Sequence, residues 1–163
     1  GDVYKRQALI QEIREWFGGP LLLSGSIATG DAVLAAQAMG ADLAYIGSAF
    51  IATEEADAEQ AYKQAIVDYC ADDIVYSSLF TGVHGNYLKP SIEAAGLDPN
   101  DLPESDPSKM DFGSGGDSDA KAWKNIWGCG QGIGAVKELS TAGDYVAKLT
   151  DQYQQAKQRI NAR

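Results

Sequence analysis

The apolar residues in the first third of the chain alternate between helical spacing and short continuous runs. In residues 8–17 they recur with the period of a helix, which ends at a Gly-Gly-Pro sequence. The continuous runs at residues 21–23 and 43–46 are typical of strands buried on both faces. Residues 31–39 predict a second helix between them, which Gly40 ends. The order strand, helix, strand predicts a βαβ unit with parallel strands and a right-handed crossover.

The middle of the chain carries a weaker pattern. Residues 58–69 predict an amphipathic helix, and residues 74–80 predict one further extended segment. From residue 81 to residue 119 the composition shifts to Gly, Pro, Asp and Ser, which predicts an extended loop region with one short helix at residues 91–95. A loop of this length favours a cover over an active site or an oligomer contact rather than a linker.

The C-terminal part, residues 120–163, is predicted to consist of helices that pack on the rest of the fold. Residues 120–127 and 141–160 have helical patterns, and the Gly-rich sequence GCGQGIG lies between them. Trp123 and Trp127 are expected to share one helix face and to serve packing rather than ligand stacking.

The charge composition of the chain disfavours some classes of binding partner. The 163 residues carry a net charge of −10 with a sequence pI near 4.4, which disfavours nucleic acid and anionic membrane surfaces. No apolar run approaches the roughly 20 residues of a membrane span, and no signal-peptide pattern opens the chain, so a cytoplasmic protein is expected. Cys70 and Cys129 lack metal-ligand spacing and are expected to be reduced thiols, so no metal site is predicted.

The first residues stand apart from this pattern. Residues 1–7, GDVYKRQ, contain no initiator Met and resemble the translated adapter sequence found at broken ends of metagenomic sequences. The alternative is an ordinary beginning of a helix. We expect a non-native N-terminal segment here and leave it out of the fold prediction.

Two Gly-Ser turns carry the strongest functional signal. Gly25-Ser26 follows the first predicted strand and Gly47-Ser48 follows the second, so both lie at the carboxyl edge of a parallel sheet, where ligands bind. Backbone N–H groups in such turns hold a phosphate without Lys or Arg, and the hydroxyls of the two serines and of Thr29 add donors. Since neighbouring strands lie about 5 Å apart, the turns would converge on one anion. The alternative is that they simply end their strands.

The segment from residue 21 to residue 55 is similar to the nitronate monooxygenase family, formerly called 2-nitropropane dioxygenases. The motifs that carry the resemblance are Gly25-Ser26-Ile27, Gly40-Ala41-Asp42, Ile46-Gly47-Ser48 and Phe50-Ile51-Ala52-Thr53-Glu54-Glu55, followed by AYKQAI, SLFTG and GQGIG. The resemblance implies an α/β fold of the FMN-dependent (β/α)₈ barrel type. Because such a barrel needs about 200 to 250 residues, we expect only its C-terminal portion, with residues 8–80 forming the last two βα units.

The resemblance also assigns the FMN phosphate to particular positions. The implied cofactor-binding residues are Gly25, Ser26, Tyr45, Ile46, Gly47 and Ser48. Three of them depart from the family pattern: Ser26 replaces Gly and Ser48 replaces Thr, which keeps backbone contacts intact, while Tyr45 replaces Gln. Gln131, flanked by glycines, is a further candidate that points its amide toward the flavin edge; the alternative is a plain tight turn.

The catalytic residues of the family are expected upstream of this chain. In the family the flavin ring, the substrate pocket and the catalytic His come from earlier strands. His84, which is the one histidine in the sequence, is expected to be a loop or interface residue. Glu54 and Glu55 form an apparent carboxylate pair, but a solvated or helix-capping role is expected for them.

The resemblance implies a parent enzyme that oxidises alkyl nitronates with O₂ to a carbonyl compound and nitrite. One alternative is an NAD(P)H-dependent flavin reductase with a quinone or enoyl substrate. The other is a non-catalytic fragment that binds FMN weakly at most. The expected partners are a nitronate and O₂, together with a possible second copy of the chain at the loop after Thr81.

Overall fold

A computed structural model describes residues 3–104 and 125–162 of the chain, which form an α/β fold. The helices are α1 (Val3–Arg14), α2 (Gly30–Ala38), α3 (Ser48–Ile51), α4 (Gln60–Asp68), α5 (Lys89–Ala94) and α6 (Ala142–Asn161). The strands are β1 (Leu22–Ser24), β2 (Leu43–Tyr45), β3 (Ile74–Ser77) and β4 (Gly85–Leu88). Two short 3-10 helices occupy Ala71–Asp73 and Gln131–Ala135.

The predicted βαβ unit is present. β1 and β2 are parallel, with Leu22 opposite Leu43 and Ser24 opposite Tyr45, and α2 connects them. Gly40 follows α2 with a φ of 109°, a left-handed conformation that lets the chain reverse into β2. The helical and strand patterns therefore predicted this unit to within one or two residues.

The two faces of the β1–β2 sheet differ in burial. Leu23 and Ala44 face the helices and pack with a core that is centred on Ile10, Ile27, Ala36 and Ala41. On the opposite face Leu22, Leu43 and Tyr45 are 52%, 55% and 61% exposed. Side chains alternate along a strand, so the sheet has one covered apolar face and one open apolar face.

α1 is fixed to the sheet by a polar network at its C-terminal end. The guanidinium of Arg14 donates to the carbonyl of Gly40 at 2.7 Å and pairs with the carboxylate of Asp42. That carboxylate also accepts a 2.7 Å hydrogen bond from the N–H of Leu21. The Leu21 hydrogen bond and the Arg14 side chain together lower the pKa of Asp42.

A second sheet corrects the prediction of an extended loop at residues 81–119. β3 and β4 are antiparallel, with Ile74 opposite Leu88, and α5 follows β4 directly. The strand was missed because Tyr87 and Leu88 are adjacent and both buried, one in each of two neighbouring cores, which removes the alternating pattern of an ordinary strand. The rest of that predicted loop, from residue 105 onward, lies outside the described residues.

α6 closes the fold against α2. Gly30 lies at the crossing, where a Cβ would come within 2.2 Å of the backbone of Leu149 and Tyr153. The beginning of α6 is capped by Thr141, whose side chain accepts from the N–H of Asp144. The predicted C-terminal helix at residues 141–160 is therefore present.

The predicted helix at residues 120–127 lies mostly outside the described residues, including Trp123. Trp127 is not helical, and its ring stacks on that of Tyr62 with centroids 5.3 Å apart. The prediction that Trp127 serves packing is confirmed, but Trp127 packs from an irregular segment and not from a helix face. Within residues 3–104 and 125–162, no helix has the length and apolarity needed to cross a membrane.

Candidate functional site

The turn after β1 has an unusual backbone. Gly25 and Ser26 both have positive φ, 102° and 57°. Among the described residues Ser26 is the one non-glycine with positive φ, and a left-handed conformation costs an L-residue about 1–2 kcal/mol. Such strain persists where surrounding structure enforces it, which is typical of functional turns.

The turn after β2 begins a short helix. Gly47 precedes α3, and Ser48 is its first residue. The N–H of Phe50 donates to the carbonyl of Gly47 at 3.0 Å. The N–H groups of Ser48 and Ala49, at the beginning of the helix, have no acceptor within it and can bind an anion that approaches the carboxyl edge of the sheet. With four residues, α3 has a weak macrodipole, and its contribution comes from these N–H groups.

The two turns enclose one cavity of about 180 Å³. Residues from both turns and from the Gly-rich loop line it: Ser24, Gly25, Ser26, Ile27, Ala28, Tyr45, Gly47, Ser48, Ala49, Gly130 and Gly132. No acidic side chain is among them; their polar side chains are hydroxyls, and their backbones supply N–H groups. This donor set suits an anion such as a phosphate monoester.

Ser48 has two hydrogen-bonding functions available. Its hydroxyl oxygen accepts a 2.7 Å hydrogen bond from the N–H of Gly130. A hydroxyl carries one proton and two lone pairs, so Ser48 keeps its own proton for a ligand in the cavity. The bond to Gly130 thus orients a donor without consuming it.

A second, more open cavity of about 340 Å³ adjoins the first and shares Ser26, Ala28 and Gly132 with it. Gln131 lines this second cavity and not the first, together with Thr29 and Cys70. The Thr29 hydroxyl accepts from the N–H of Ala32 and caps α2. The two candidates Gln131 and Thr29 therefore lie beside the small cavity rather than in its wall.

The structure places the remaining predicted site residues as follows. Gly25, Ser26, Tyr45, Gly47 and Ser48 all line the small cavity. Ile46 does not line it; its side chain packs against both neighbouring cores. Only the backbone of Ile46 remains a candidate contact.

His84, Glu54 and Glu55 were not expected to be catalytic, and each makes a contact within the fold. His84 lies just before β4, and its ring stacks on Tyr76 with centroids 4.8 Å apart. The Glu55 carboxylate accepts from the N–H of Ala142 and so caps the beginning of α6, as predicted. The backbone carbonyl of Glu54 accepts from the ammonium of Lys63 at 2.9 Å. In the part of the chain that the structure describes, no group of three or more His, Cys, Asp and Glu could hold a metal ion.

Sequence reasoning missed Gly130 and Gly132 as walls of the cavity. The signal was the alternation of glycine at positions 128, 130, 132 and 134, which permits close approach of backbone to backbone. Which turn this loop approaches depends on a contact across more than 80 residues, and local pattern does not encode such contacts.

The chain matches the model of a known protein family. The model of the nitronate monooxygenase family matches residues 1–152. The chain belongs to this family. Its members are oxidoreductases, and the predicted membership in this family is thereby confirmed. The matched range includes residues 1–7, whose non-native origin stays a prediction.

Individual family members share this similarity. The nitronate monooxygenase of Paraburkholderia phytofirmans is 28% identical over 147 residues, which are 86% of this chain and 40% of that protein. A probable nitronate monooxygenase of Staphylococcus haemolyticus is 33% identical over 75 residues, 46% of this chain and 21% of that protein. The chain thus spans well under half the length of these curated relatives.

Solved structures show the same α/β fold. FabK from Thermotoga maritima matches 96% of this chain and 51% of its own, with a TM-score of 0.71 and 18% identity. Nitroalkane oxidase from Streptomyces ansochromogenes matches 95% of this chain and 45% of its own, with a TM-score of 0.68 and 24% identity. At these identities the likeness concerns the fold.

Proposed function

We propose that the small cavity binds the phosphate of FMN, and that the chain is the C-terminal part of an FMN-dependent enzyme that oxidises alkyl nitronates. The observation that carries the proposal is the convergence of the Gly25-Ser26 and Gly47-Ser48 turns on one cavity with no acidic wall. Membership in the nitronate monooxygenase family supports the reaction.

The open face of the β1–β2 sheet supports the proposal that this is part of a (β/α)₈ barrel. Leu22, Leu43 and Tyr45 are more than half exposed on that face. Among the described residues no further strand extends this sheet. An open apolar face with two free edges is what two strands of a barrel present when the other strands are absent.

The residues of this chain would bind and orient the cofactor. Backbone N–H groups of the two turns and the Ser48 hydroxyl would hold the phosphate, which fixes the position of the whole molecule. Bound FMN supplies the capacity to take up an electron from a nitronate and to react with O₂. The left-handed conformation of Ser26 sets the direction of the backbone N–H groups in this turn.

The residues that act on the substrate are proposed to lie outside this chain. His84 stacks on Tyr76 and lines neither of the two cavities described above. Glu55 is engaged at the beginning of α6. Following the family resemblance, we propose that the base of the nitronate reaction lies on an earlier strand of the parent enzyme, and we expect this chain alone to be inactive.

An NAD(P)H-dependent flavin reductase is the second candidate. A cradle built for the FMN phosphate contacts neither the reacting edge of the flavin nor the substrate, so it serves either reaction. O₂ uptake with a nitronate, compared with oxidation of NAD(P)H, distinguishes the two in the full-length parent.

FMN titration of the full-length parent tests the phosphate site. Ser26→Asp places a carboxylate against the phosphate and is expected to abolish flavin retention, because two anions would share one desolvated cavity. Ser140→Asp adds the same charge outside the cavity and is the control. Unchanged flavin content in Ser26→Asp would remove Ser26 from the site.

The isolated chain is expected to purify colourless, and a stoichiometric yellow flavin complex of it would contradict the proposal that the rest of the barrel is needed to bind FMN.

A further inference from the structure

The Gly-rich loop at residues 128–134, which we call the glycine loop, contacts both phosphate turns. Gly130 donates its N–H to the Ser48 hydroxyl at 2.7 Å. Gly132 packs on the other turn so closely that a Cβ at this position would lie 2.8 Å from the carbonyl carbon of Ser26 and 3.0 Å from its Cα. One loop therefore touches the two turns that form the cavity.

The glycine loop and the residue before it, Trp127, are held by contacts that do not involve the cavity. The Trp127 carbonyl accepts from the N–H of Leu88 at 2.9 Å, and the N–H of Cys129 donates to the carbonyl of Asn86 at 3.1 Å. The hydroxyl of Tyr62 donates to the carbonyl of Gly128. Burial raises the pKa of Tyr62 to about 12, so this phenol keeps the proton that it donates.

The glycine loop is thus held in place on one side of the cavity, and the strained backbone is that of the Ser26 turn. Ser26 would relax from its φ of 57° if space allowed, because the left-handed conformation disfavours an L-residue. The backbone of Gly132 occupies the space beside it. Neither Gly132 nor Gly128 has a positive φ, so an alanine at either position is limited by neighbouring atoms and not by its own backbone.

We infer that the glycine loop positions the phosphate cradle: Gly132 holds the Ser26 turn in its left-handed conformation, and Gly130 orients the Ser48 hydroxyl. This inference rests on the proposed function for the identity of the ligand, but the contacts that carry it are independent of the ligand. Gly132 and Gly130 are positioning residues, since they act through the two serines.

The test compares two alanine variants within the loop. At Gly132 a Cβ would collide with backbone atoms of Ser26 at under 3.0 Å, whereas at Gly128 the nearest atom is the carbonyl oxygen of Asn86 at 3.6 Å, an ordinary contact. Gly132→Ala is expected to weaken FMN binding of the full-length parent by about tenfold or more, while Gly128→Ala stays within about twofold of the wild type. Equal affinities for Gly132→Ala and the wild type would overturn the inference.

Ser48 provides a second comparison if Gly132→Ala does not fold. Ser48→Ala removes the acceptor for the Gly130 N–H, and Ser48→Thr retains it. Hydrogen exchange of the 128–134 segment, measured without FMN, is expected to accelerate in Ser48→Ala and to stay as in the wild type in Ser48→Thr. Unchanged exchange in Ser48→Ala would contradict the positioning role of this bond.

Hydrogen exchange also distinguishes a failure of the proposed FMN site from a failure of the positioning role of the glycine loop. Hydrogen exchange of residues 25–27 in the 163-residue chain requires no cofactor. If the full-length wild type fails to bind FMN, the proposed function fails, and faster exchange at residues 25–27 in Gly132→Ala than in Gly128→Ala still supports the positioning role. If FMN binds and both variants exchange and bind as the wild type does, the proposed function stands and the inference fails.

Discussion

The hydroxyl of Tyr145 donates a 2.8 Å hydrogen bond to the carbonyl of Ala28, which joins the last helix to the turn after β1. Tyr145 is 7% exposed, and its ring meets that of Phe50 edge-on at 5.0 Å. Burial raises the pKa of Tyr145 to about 12, so the phenol remains a donor. Since Ala28 lies two residues beyond Ser26, α6 braces the segment that forms the cavity.

Tyr145→Phe tests this brace. The variant leaves a buried carbonyl without its partner and is expected to lower the free energy of unfolding by about 1–2 kcal/mol. Tyr153→Phe is the matched control, because its hydroxyl also bonds across to α2, at Gln37, but at an exposed position. That variant is expected to cost less than about 0.5 kcal/mol. Equal midpoints of chemical denaturation for the two variants would refute the role of Tyr145.

The local pattern of the chain predicted the elements that it controls by itself. The apolar runs at β1 and β2 are bounded by turn residues, and the periodic helix α2 has Gly40 at its end. The βαβ unit could therefore be predicted from residues that are close together in the sequence. Parallel pairing then placed the two Gly-Ser turns at the same edge. That step brought Gly25, Ser26, Gly47 and Ser48 around one cavity correctly.

The parts that were missed depend on partners distant in sequence. β4 is a strand because β3 lies beside it, and its burial on two different cores erased the alternation that would have revealed it. Gly130 and Gly132 became cavity walls through contacts to Ser48 and Ser26. The left-handed backbone of Ser26 was also missed, because a serine, unlike the Gly that the family has at this position, does not itself indicate a positive φ.

Ser26→Gly is expected to stabilise the fold. Glycine adopts a φ of 57° without the steric cost that serine pays there, so the free energy of unfolding should rise by up to about 1 kcal/mol. Ser24→Gly, two residues earlier in β1, is the control of opposite sign. It should destabilise by about 0.5–1 kcal/mol, since glycine weakens a strand. Thermal unfolding of both variants checks the pair, and a loss of stability in Ser26→Gly would show that Ser26 is not strained.

Asp42→Asn is expected to lower stability in a pH-dependent manner. The pKa of Asp42 is lowered below its ordinary value of 3.8 in the folded protein, so its stabilising contribution is present above that value and is lost as pH falls through the folded pKa. The difference between wild type and Asp42→Asn should therefore be constant near neutrality and disappear in acid. Asp101→Asn is the control for the same change at an exposed carboxylate. A difference that grows on acidification would have the wrong sign.

The two cysteines are expected to react at different rates. Cys129 lies in the core, and burial raises its pKa to about 12, which removes the reactive thiolate, whereas Cys70 is exposed. A thiol reagent at about pH 8 should modify one cysteine quickly and the other only after denaturation. Cys70→Ser should abolish the fast phase. Two fast equivalents in the folded wild type would contradict the burial of Cys129.

Gly30→Ala tests the crossing of α2 and α6, on which the position of the cavity depends. A Cβ at residue 30 would come within 2.2 Å of the Leu149 carbonyl oxygen and of the Tyr153 nitrogen, and helix backbone cannot yield as a flexible side chain would. The helices must separate, at an expected cost of about 3 kcal/mol or more. Gly18→Ala, where a Cβ meets nothing within 4 Å, should change stability by less than about 0.5 kcal/mol. Because α6 also carries Tyr145, Gly30→Ala should loosen the turn at Ala28, and hydrogen exchange of residues 25–29 should accelerate. Wild-type stability and exchange in Gly30→Ala would show that the two helices do not pack through this glycine.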